Sequence, residues 1–232
     1  MSLIVQVQDQ AFQAMLIASI ETFPTSYLPQ ETGKQKRLKN KLHDGEAMGL
    51  LFGQRLVKGK HLVFNVSLAV TMQATKRAAD GVKYSRFHFE RIREITESFP
   101  NLEFLGAFHS HPWLKTDFGK KATEPSEEDE KTAIKAAQEC GDELLELILG
   151  LTYLTRSNYR SAKFNGYSID SYCGHYKYRL SAYCTASAVE DNDATLLFDE
   201  ESADLGFDEI WGLFQVDQLI CPLAAHGGNM FA

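Results

Sequence analysis

The 232-residue chain lacks several features that would place it in a class at once. Its four cysteines show no CxxC spacing and no disulfide density, so we expect reduced thiols in the cytosol. The longest nearly apolar run, residues 144–151, is far shorter than the ~20 residues that a membrane-spanning helix needs. Residues 1–10 have no basic start and no long apolar core. We therefore expect a cytoplasmic protein with no signal peptide and no membrane contact.

Basic residues are missing from the C-terminal part of the chain. No Lys or Arg follows Arg179, whereas ten acidic residues do. Residues 1–179 contain 24 basic and 21 acidic residues, a net charge of +3, although the whole chain has −7. The one basic cluster, residues 33–41, we interpret as a solvated loop. Because a nucleic-acid-binding protein needs a concentrated basic face, we expect no nucleic-acid partner.

What is present is an ordinary globular composition, with 44% apolar and 24% charged residues. Strand patterns occur at residues 3–7, 46–57, 61–70, 102–111, 144–154, 159–169 and 172–184. Helical spacing predicts one helix that ends before Pro24, a second that ends before Pro100 and a third over residues 127–140. Polar residues 72–85 predict a loop. Together these patterns predict a mixed α+β fold.

The composition changes near residue 187. We expect a domain over residues 1–186 and an acidic C-terminal extension over residues 187–232. Apolar residues within 207–214 recur at helical spacing and predict a short amphipathic helix. Such a short helix is marginal alone, so we expect it to dock on its own domain, in a homodimer or on a protein partner. The acidic stretch 190–209 would then be its tether.

Two histidines separated by one residue, His109 and His111, lie in a predicted strand. Residues i and i+2 of a strand face the same side, so both imidazoles are available as zinc ligands. Asp129, in the first turn of the predicted helix, is a candidate third ligand, and a catalytic zinc keeps its fourth position open to water. Zinc lowers the pKa of such a water from ~15.7 toward ~7. Glu46, at the start of a strand, is a candidate general base.

Each of these features also has a simpler interpretation. An HxH pair in a strand is more often two half-buried histidines than a metal site. Ser126, three residues before Asp129, fits a helix capping box in which the serine is the N-cap. The other five histidines have no comparable partners, and we interpret them as surface or core residues.

The order of the pieces points to a family. EAMGLLFG at residues 46–53, HSHP at 109–112 and SEED at 126–129 together resemble the JAMM motif of MPN-domain zinc metalloproteases. That motif consists of an upstream Glu, then His-Ser/Thr-His-Pro, then Ser-x-x-Asp. The resemblance covers roughly residues 9–185 and implies the MPN fold, a cytidine-deaminase-like mixed β-sheet flanked by helices.

The resemblance also implies a role for each residue of the motif. His109, His111 and Asp129 would hold one Zn²⁺, Glu46 would be the general base, and Ser126 would donate its hydroxyl to the oxyanion. The implied reaction is hydrolysis of an isopeptide or peptide bond at the C-terminus of ubiquitin or a ubiquitin-like protein, as in deubiquitinase-like isopeptidases. The alternatives are a peptidase that trims a small sulfur-carrier-type protein and a non-catalytic MPN scaffold for protein assembly.

Fourteen residues, 112–125, separate His111 from Ser126, more than the family usually has. We interpret residues 113–123 as an inserted loop at the rim of the cleft. We expect its aromatic side chains to contact the substrate; the alternative is that they pack on the domain's own surface. Ser110, which faces away from the two histidines, we interpret as structural.

Overall fold

The structure, a computed structural model, describes residues 2–28, 45–72, 76–78, 81–83, 86–158, 160–188 and 210–225. Over these residues the strands are β1 (Ser2–Val7), β2 (Met48–Lys58), β3 (His61–Thr71), β4 (Lys76–Ala78), β5 (Gly81–Lys83), β6 (Glu103–Trp113), β7 (Leu145–Tyr153), β8 (Lys163–Asn165), β9 (Ser168–Cys173), β10 (Tyr176–Ala188), β11 (Ile210–Gln215) and β12 (Gln218–Ile220). The α-helices are α1 (Asp9–Glu21), α2 (Arg86–Glu97), α3 (Glu127–Cys140) and α4 (Pro222–Ala225). The predicted basic loop at 33–41 and acidic tether at 190–209 lie outside the described residues.

One curled sheet of ten strands organises the described part of the chain. Its order is β12-β1-β3-β2-β6-β7-β10-β9-β8, and β11 pairs with β10. β1 is parallel to β3 and β12, and β6 is parallel to β7, whereas the other pairs are antiparallel. The two ends of the sheet approach each other, because the Leu219 amide in β12 donates to the Gly166 carbonyl between β8 and β9. The predicted α+β fold is confirmed.

The larger of two apolar clusters lies on the side of the sheet that holds α1. The alternating residues of β1 and the inward face of α1 are buried in it, among them Val5, Phe12 and Met15. The Phe12 ring lies 5.6 Å from the ring of Tyr178 in β10, so α1 contacts strands from both halves of the sheet. The predicted helix that ends before Pro24 is confirmed as α1.

The second apolar cluster lies on the opposite face, under α2 and α3. Leu50 and Phe52 of β2 face this cluster, whereas Leu51 between them faces the larger one. Both faces of the central strands are therefore covered, which is why β2 begins with six consecutive buried residues. Among the described helices, none has the length and apolar character needed to cross a bilayer.

The sequence prediction for residues 72–85 is wrong in part. Residues Lys76–Ala78 and Gly81–Lys83 pair as a small antiparallel hairpin rather than forming only loop. Strands of three residues are too short to show the apolar alternation from which a strand is recognised.

The predicted amphipathic helix is also wrong over its described part. Residues Ile210–Gln215 form β11, which pairs antiparallel with the last residues of β10, while Phe207 lies outside the described residues. Two local features favour the strand: Trp211 and Phe214 have high strand propensity, and Gly212 disfavours a helix. The edge of β10 then supplies the backbone hydrogen bonds, and Trp211 packs against the second apolar cluster.

Residues 216–225 complete the larger cluster. Val216, Leu219, Cys221 and Ala224 are all buried in it. The Asp217 carboxylate accepts from the Leu3 amide at 2.7 Å, which ties this segment to β1. The C-terminal strands thus dock on their own domain, one of the docking modes that the sequence analysis considers.

Truncation after Ala188 should therefore destabilise the whole fold. A buried Val or Leu contributes ~1.5–3 kcal/mol, so losing several approaches the ~5–15 kcal/mol net stability of a domain. We expect a lower melting temperature or loss of solubility, measured by thermal unfolding and size-exclusion chromatography.

A pair of point variants tests the same conclusion in the full chain. Leu219→Ala should cost ~2–5 kcal/mol of unfolding free energy, because it leaves a cavity in the core. The neighbouring Gln218 is exposed, and Gln218→Ala should be close to wild type. Equal stability of the two variants would contradict the docking of this segment.

Candidate metal centre

His109 and His111 lie side by side near the end of a central strand. β6 pairs with both β2 and β7, with Met48 and Ile148 as the neighbours of His109. The two side chains face the same side of β6, and their Nε2 atoms are 3.0 Å apart. His109 is only 7% exposed. β6 is paired with both β2 and β7 as far as His109 and with β7 alone at His111, so the backbone that carries the two imidazoles is held in the sheet.

The first turn of α3 brings a carboxylate to the same point. Asp129 Oδ2 lies 3.7 Å from His109 Nε2 and 3.8 Å from His111 Nε2. These three side chains form a group that could hold a metal ion. The structure thus brings together the three residues that the sequence analysis selects as ligands.

Ser126 and Asp129 form the capping box that the sequence pattern predicts. The Asp129 amide donates to Ser126 Oγ at 3.2 Å, and the Ser126 amide donates to Asp129 Oδ2 at 2.8 Å. The Ser126 hydroxyl also donates to Asp129 Oδ2, at 2.7 Å. The capping contacts therefore hold the carboxylate oxygen that faces the two imidazoles.

Glu46 lies beside this group, just before β2. Ser110 of β6 makes two hydrogen bonds to Ala47, the residue that follows Glu46. Its hydroxyl accepts from the Ala47 amide at 2.8 Å, and its own amide donates to the Ala47 carbonyl at 2.9 Å. Glu46 is 8% exposed, and its charge is one of those that raise the pKa of His109. The interpretation of Ser110 as structural is confirmed, because it fixes the backbone next to Glu46.

A second buried acid, Glu146, was missed by the sequence analysis. Its Oε1 lies 2.6 Å from His109 Nδ1, and Glu146 is 9% exposed in β7. The signal was present as a single acidic residue in the apolar run 144–151, which is costly to bury without a partner. A carboxylate on the outer nitrogen of a ligating histidine fixes its tautomer and raises its basicity.

Opposing effects set the pKa of His109. Burial lowers it, while the hydrogen bond and charge of Glu146 and the charges of Asp129 and Glu46 raise it. The carboxylates outweigh burial, and the pKa of His109 rises from 6.5 to about 9. The surroundings of His109 thus favour a positive charge at this point of the site.

The other two members of the group shift in ways that suit ligands. Burial, and with it the charge of His109, lowers the pKa of His111, which favours the neutral imidazole. Burial would raise the pKa of Asp129, but the neighbouring His111 and His109 imidazoles and the hydrogen bonds from Ser126 hold it well below its usual range. The carboxylate is therefore ionised and the His111 ring is disposed to be neutral.

The inserted loop packs on the domain itself. Within the loop, Trp113 Nε1 donates to the Ala122 carbonyl at 3.0 Å. Against β10, the Lys177 ammonium lies 4.7 Å from the centre of the Phe118 ring. Leu114 is 43% exposed. These contacts favour the alternative in which the aromatic side chains cover the domain's own surface.

Comparisons with known proteins assign no family. No model of a known protein family matches the chain, and no curated protein matches it either.

Loss of the buried charge at Glu146 should weaken metal binding without unfolding the protein. Glu146→Gln keeps the size of the side chain but removes the charge that supports His109, and we expect metal affinity to fall about 10–100-fold. Competition titration with Zn²⁺ and a chelating dye measures it. Glu128→Gln is the matched control, because Glu128 is an exposed acid next to Asp129. Equal affinities in the two variants would show that Glu146 gives His109 no support.

Proposed function

We propose that this chain is a zinc-dependent hydrolase of amide bonds, an isopeptidase or peptidase that acts at the C-terminus of ubiquitin or a ubiquitin-like protein. One observation carries the proposal: His109, His111 and Asp129 converge on one point, and a buried Glu46 precedes Ala47 and Met48, which pair with Ser110 and His109 of β6. This is the set of groups that metal-assisted hydrolysis requires: three ligands and a proton carrier.

The geometry of the three ligand atoms fits zinc. Tetrahedral Zn²⁺ with bonds of about 2.0–2.2 Å places its ligand atoms about 3.3–3.5 Å apart. The observed separations of 3.0, 3.7 and 3.8 Å lie on either side of this value. Two imidazoles and one carboxylate form a donor set typical of catalytic zinc, and three protein ligands leave a fourth position for water or substrate.

Glu46 is the proton carrier in this proposal. When bound, Zn²⁺ would polarise the substrate carbonyl and lower the pKa of a water molecule. Glu46 would accept a proton from the attacking water and deliver it to the leaving amine. The contacts between Ser110 and Ala47 support this role, because they fix the backbone adjacent to Glu46.

Ser126 would stabilise the oxyanion that forms as the carbonyl is attacked. Such donors contribute ~2.7–4 kcal/mol to catalysis. The Ser126 hydroxyl has one proton, which it now donates to Asp129. Stabilising the oxyanion therefore requires the hydroxyl to turn from Asp129 toward the substrate. The carboxylate still accepts from the Ser126 amide, so the cap survives this change.

The resemblance to the JAMM motif supplies the substrate class. The motif residues Glu46, His109, His111, Ser126 and Asp129 occur in the family's order. We propose that the mixed sheet, with α1 on one face and α2 and α3 on the other, is an MPN fold. Proteases of that family act on ubiquitin-like proteins, and trimming of a small sulfur-carrier-type protein is a variant of the same chemistry.

A non-catalytic scaffold is the second candidate, and burial of Glu46 argues against it. Burying an acid beside an imidazole costs free energy. A scaffold transfers no proton and would gain nothing from this arrangement. Zinc removal discriminates the two functions, because an enzyme loses activity with its fold largely intact whereas a scaffold keeps its partner.

Glu46→Gln should abolish turnover while zinc stays bound. Removing a general base lowers rates by ~10²–10⁴. We expect wild-type zinc content by metal analysis, with cleavage of ubiquitin-like fusions and isopeptide conjugates lost. Glu128→Gln serves again as the control of equal charge. Activity of Glu46→Gln within a few-fold of wild type would rule out Glu46 as the base.

Ser126→Ala should reduce the rate less than Glu46→Gln and leave the zinc content unchanged. It also removes the N-cap of α3, which costs ~0.5–2 kcal/mol, so the melting temperature should fall. Ser126→Thr keeps a hydroxyl and a cap and should restore both properties in part. If Ser126→Ala lowers stability but leaves kcat at the wild-type value, Ser126 is a cap alone.

A further inference from the structure

Residues 114–124 (the strap), which form most of the segment between β6 and α3, are held against the sheet. Arg179 of β10 donates from Nη1 to the carbonyl oxygens of Gly119 at 3.1 Å and Lys120 at 2.7 Å. The same guanidinium binds both carboxylate oxygens of Asp170 in β9, each at 2.7 Å. One side chain thus ties the middle of the strap to two strands.

The end of the strap is anchored in the protein interior. Thr123 is 2% exposed, and its Oγ1 lies 2.6 Å from the Ser181 hydroxyl in β10. The Tyr183 hydroxyl donates to the Thr123 carbonyl at 2.9 Å. The approach to Ser126 and α3 is therefore fixed by β10.

Between these two anchors, Ala122 packs closely against β7. A Cβ atom on Gly150 would lie 2.6 Å from the Ala122 oxygen, so this approach requires glycine at position 150. Gly150 is the β7 neighbour of His111. The Ala122 backbone therefore lies on the side of the sheet to which the His111 ring points, and its carbonyl accepts from Trp113 Nε1.

The His111 ring lies between this backbone and the rest of the site. Its Nε2 faces His109 and Asp129. His109 is held from its other side as well, because its Nδ1 lies 2.6 Å from Glu146 Oε1. A group that packs beside a ligating imidazole fixes its orientation toward a metal.

We propose that the strap belongs to the metal site: the Ala122 backbone, packed over Gly150, fixes the orientation of the His111 ring, and Gly150 and Arg179 are positioning residues that hold this backbone in place. The inference rests on the proposed zinc site and extends it from the ligands to the strap. It gives the strap a role in binding the metal.

Two variants of the full-length chain test the proposal by different routes. Gly150→Ala adds a Cβ that would lie 2.6 Å from the Ala122 oxygen, and it therefore displaces the Ala122 backbone. Arg179→Gln removes the two hydrogen bonds to the carbonyl oxygens of Gly119 and Lys120 in the strap. We expect each to weaken Zn²⁺ binding about 10–100-fold in competition with a chelating dye. We also expect each to change the visible absorption of the Co²⁺-loaded protein, which reports ligand geometry.

Two matched controls separate positioning from general disturbance. Gly119→Ala lies in the strap itself, where a Cβ would meet only the Asp117 carbonyl at 3.8 Å. Lys121→Gln removes one positive charge from the strap, as Arg179→Gln does from β10, at a side chain that is exposed. Both should bind Zn²⁺ and absorb as Co²⁺ proteins much as wild type does.

The outcomes separate this inference from the proposed function. If Arg179→Gln folds, binds Zn²⁺ as tightly as wild type and shows the wild-type Co²⁺ spectrum, the strap is only packing and the inference is wrong, although the metal site stands. A lower melting temperature with unchanged affinity has the same meaning. If wild type itself binds neither ion, the proposed function fails and the inference fails with it. Should Gly150→Ala not fold, Arg179→Gln decides.

Discussion

The pairing of β6 between β2 and β7 is the constraint on which the rest of the site depends. This arrangement places the two imidazoles of β6 beside the start of β2, where Glu46 lies, and beside Glu146 in β7. Both faces of these strands are covered by apolar clusters, so a change of register would move His109 and His111 into a hydrophobic core. The geometry of the candidate site is thus set by the same packing that stabilises the domain.

The sequence predicts the parts of the site that depend on local periodicity. Two histidines at i and i+2 share a face in any strand, and Ser126 with Asp129 forms a cap in any helix that starts there. Glu146 and Ala122 could not be found in this way, because Glu146 meets His109, and Ala122 packs on the strand neighbour of His111, between distant parts of the chain. Local sequence defines the ligands, whereas the groups that orient them depend on the tertiary fold.

The same distinction explains where the fold differs from prediction. The mixed sheet and the helices α1, α2 and α3 follow from apolar patterns long enough to show a period. Residues Ile210–Gln215 have apolar spacing that fits a helix, yet they form a strand because the open edge of β10 satisfies their backbone. A short apolar segment takes the structure that its neighbours allow, and one sequence window does not contain that information.

The concentration of acids at the site links its chemistry to stability. Glu46 and Glu146 are buried and Asp129 is half-buried around two imidazoles, and each carboxylate that is buried costs free energy unless it is paired. Hydrogen bonds at the cap and at His109 offset part of this cost. A divalent cation held by the three ligands would offset more, and it would bind the folded chain in preference to the unfolded one. With the ion bound, the group of charges that disfavours folding of the metal-free chain would instead stabilise the fold. The same ion would then contribute both to stability and to the chemistry of the site.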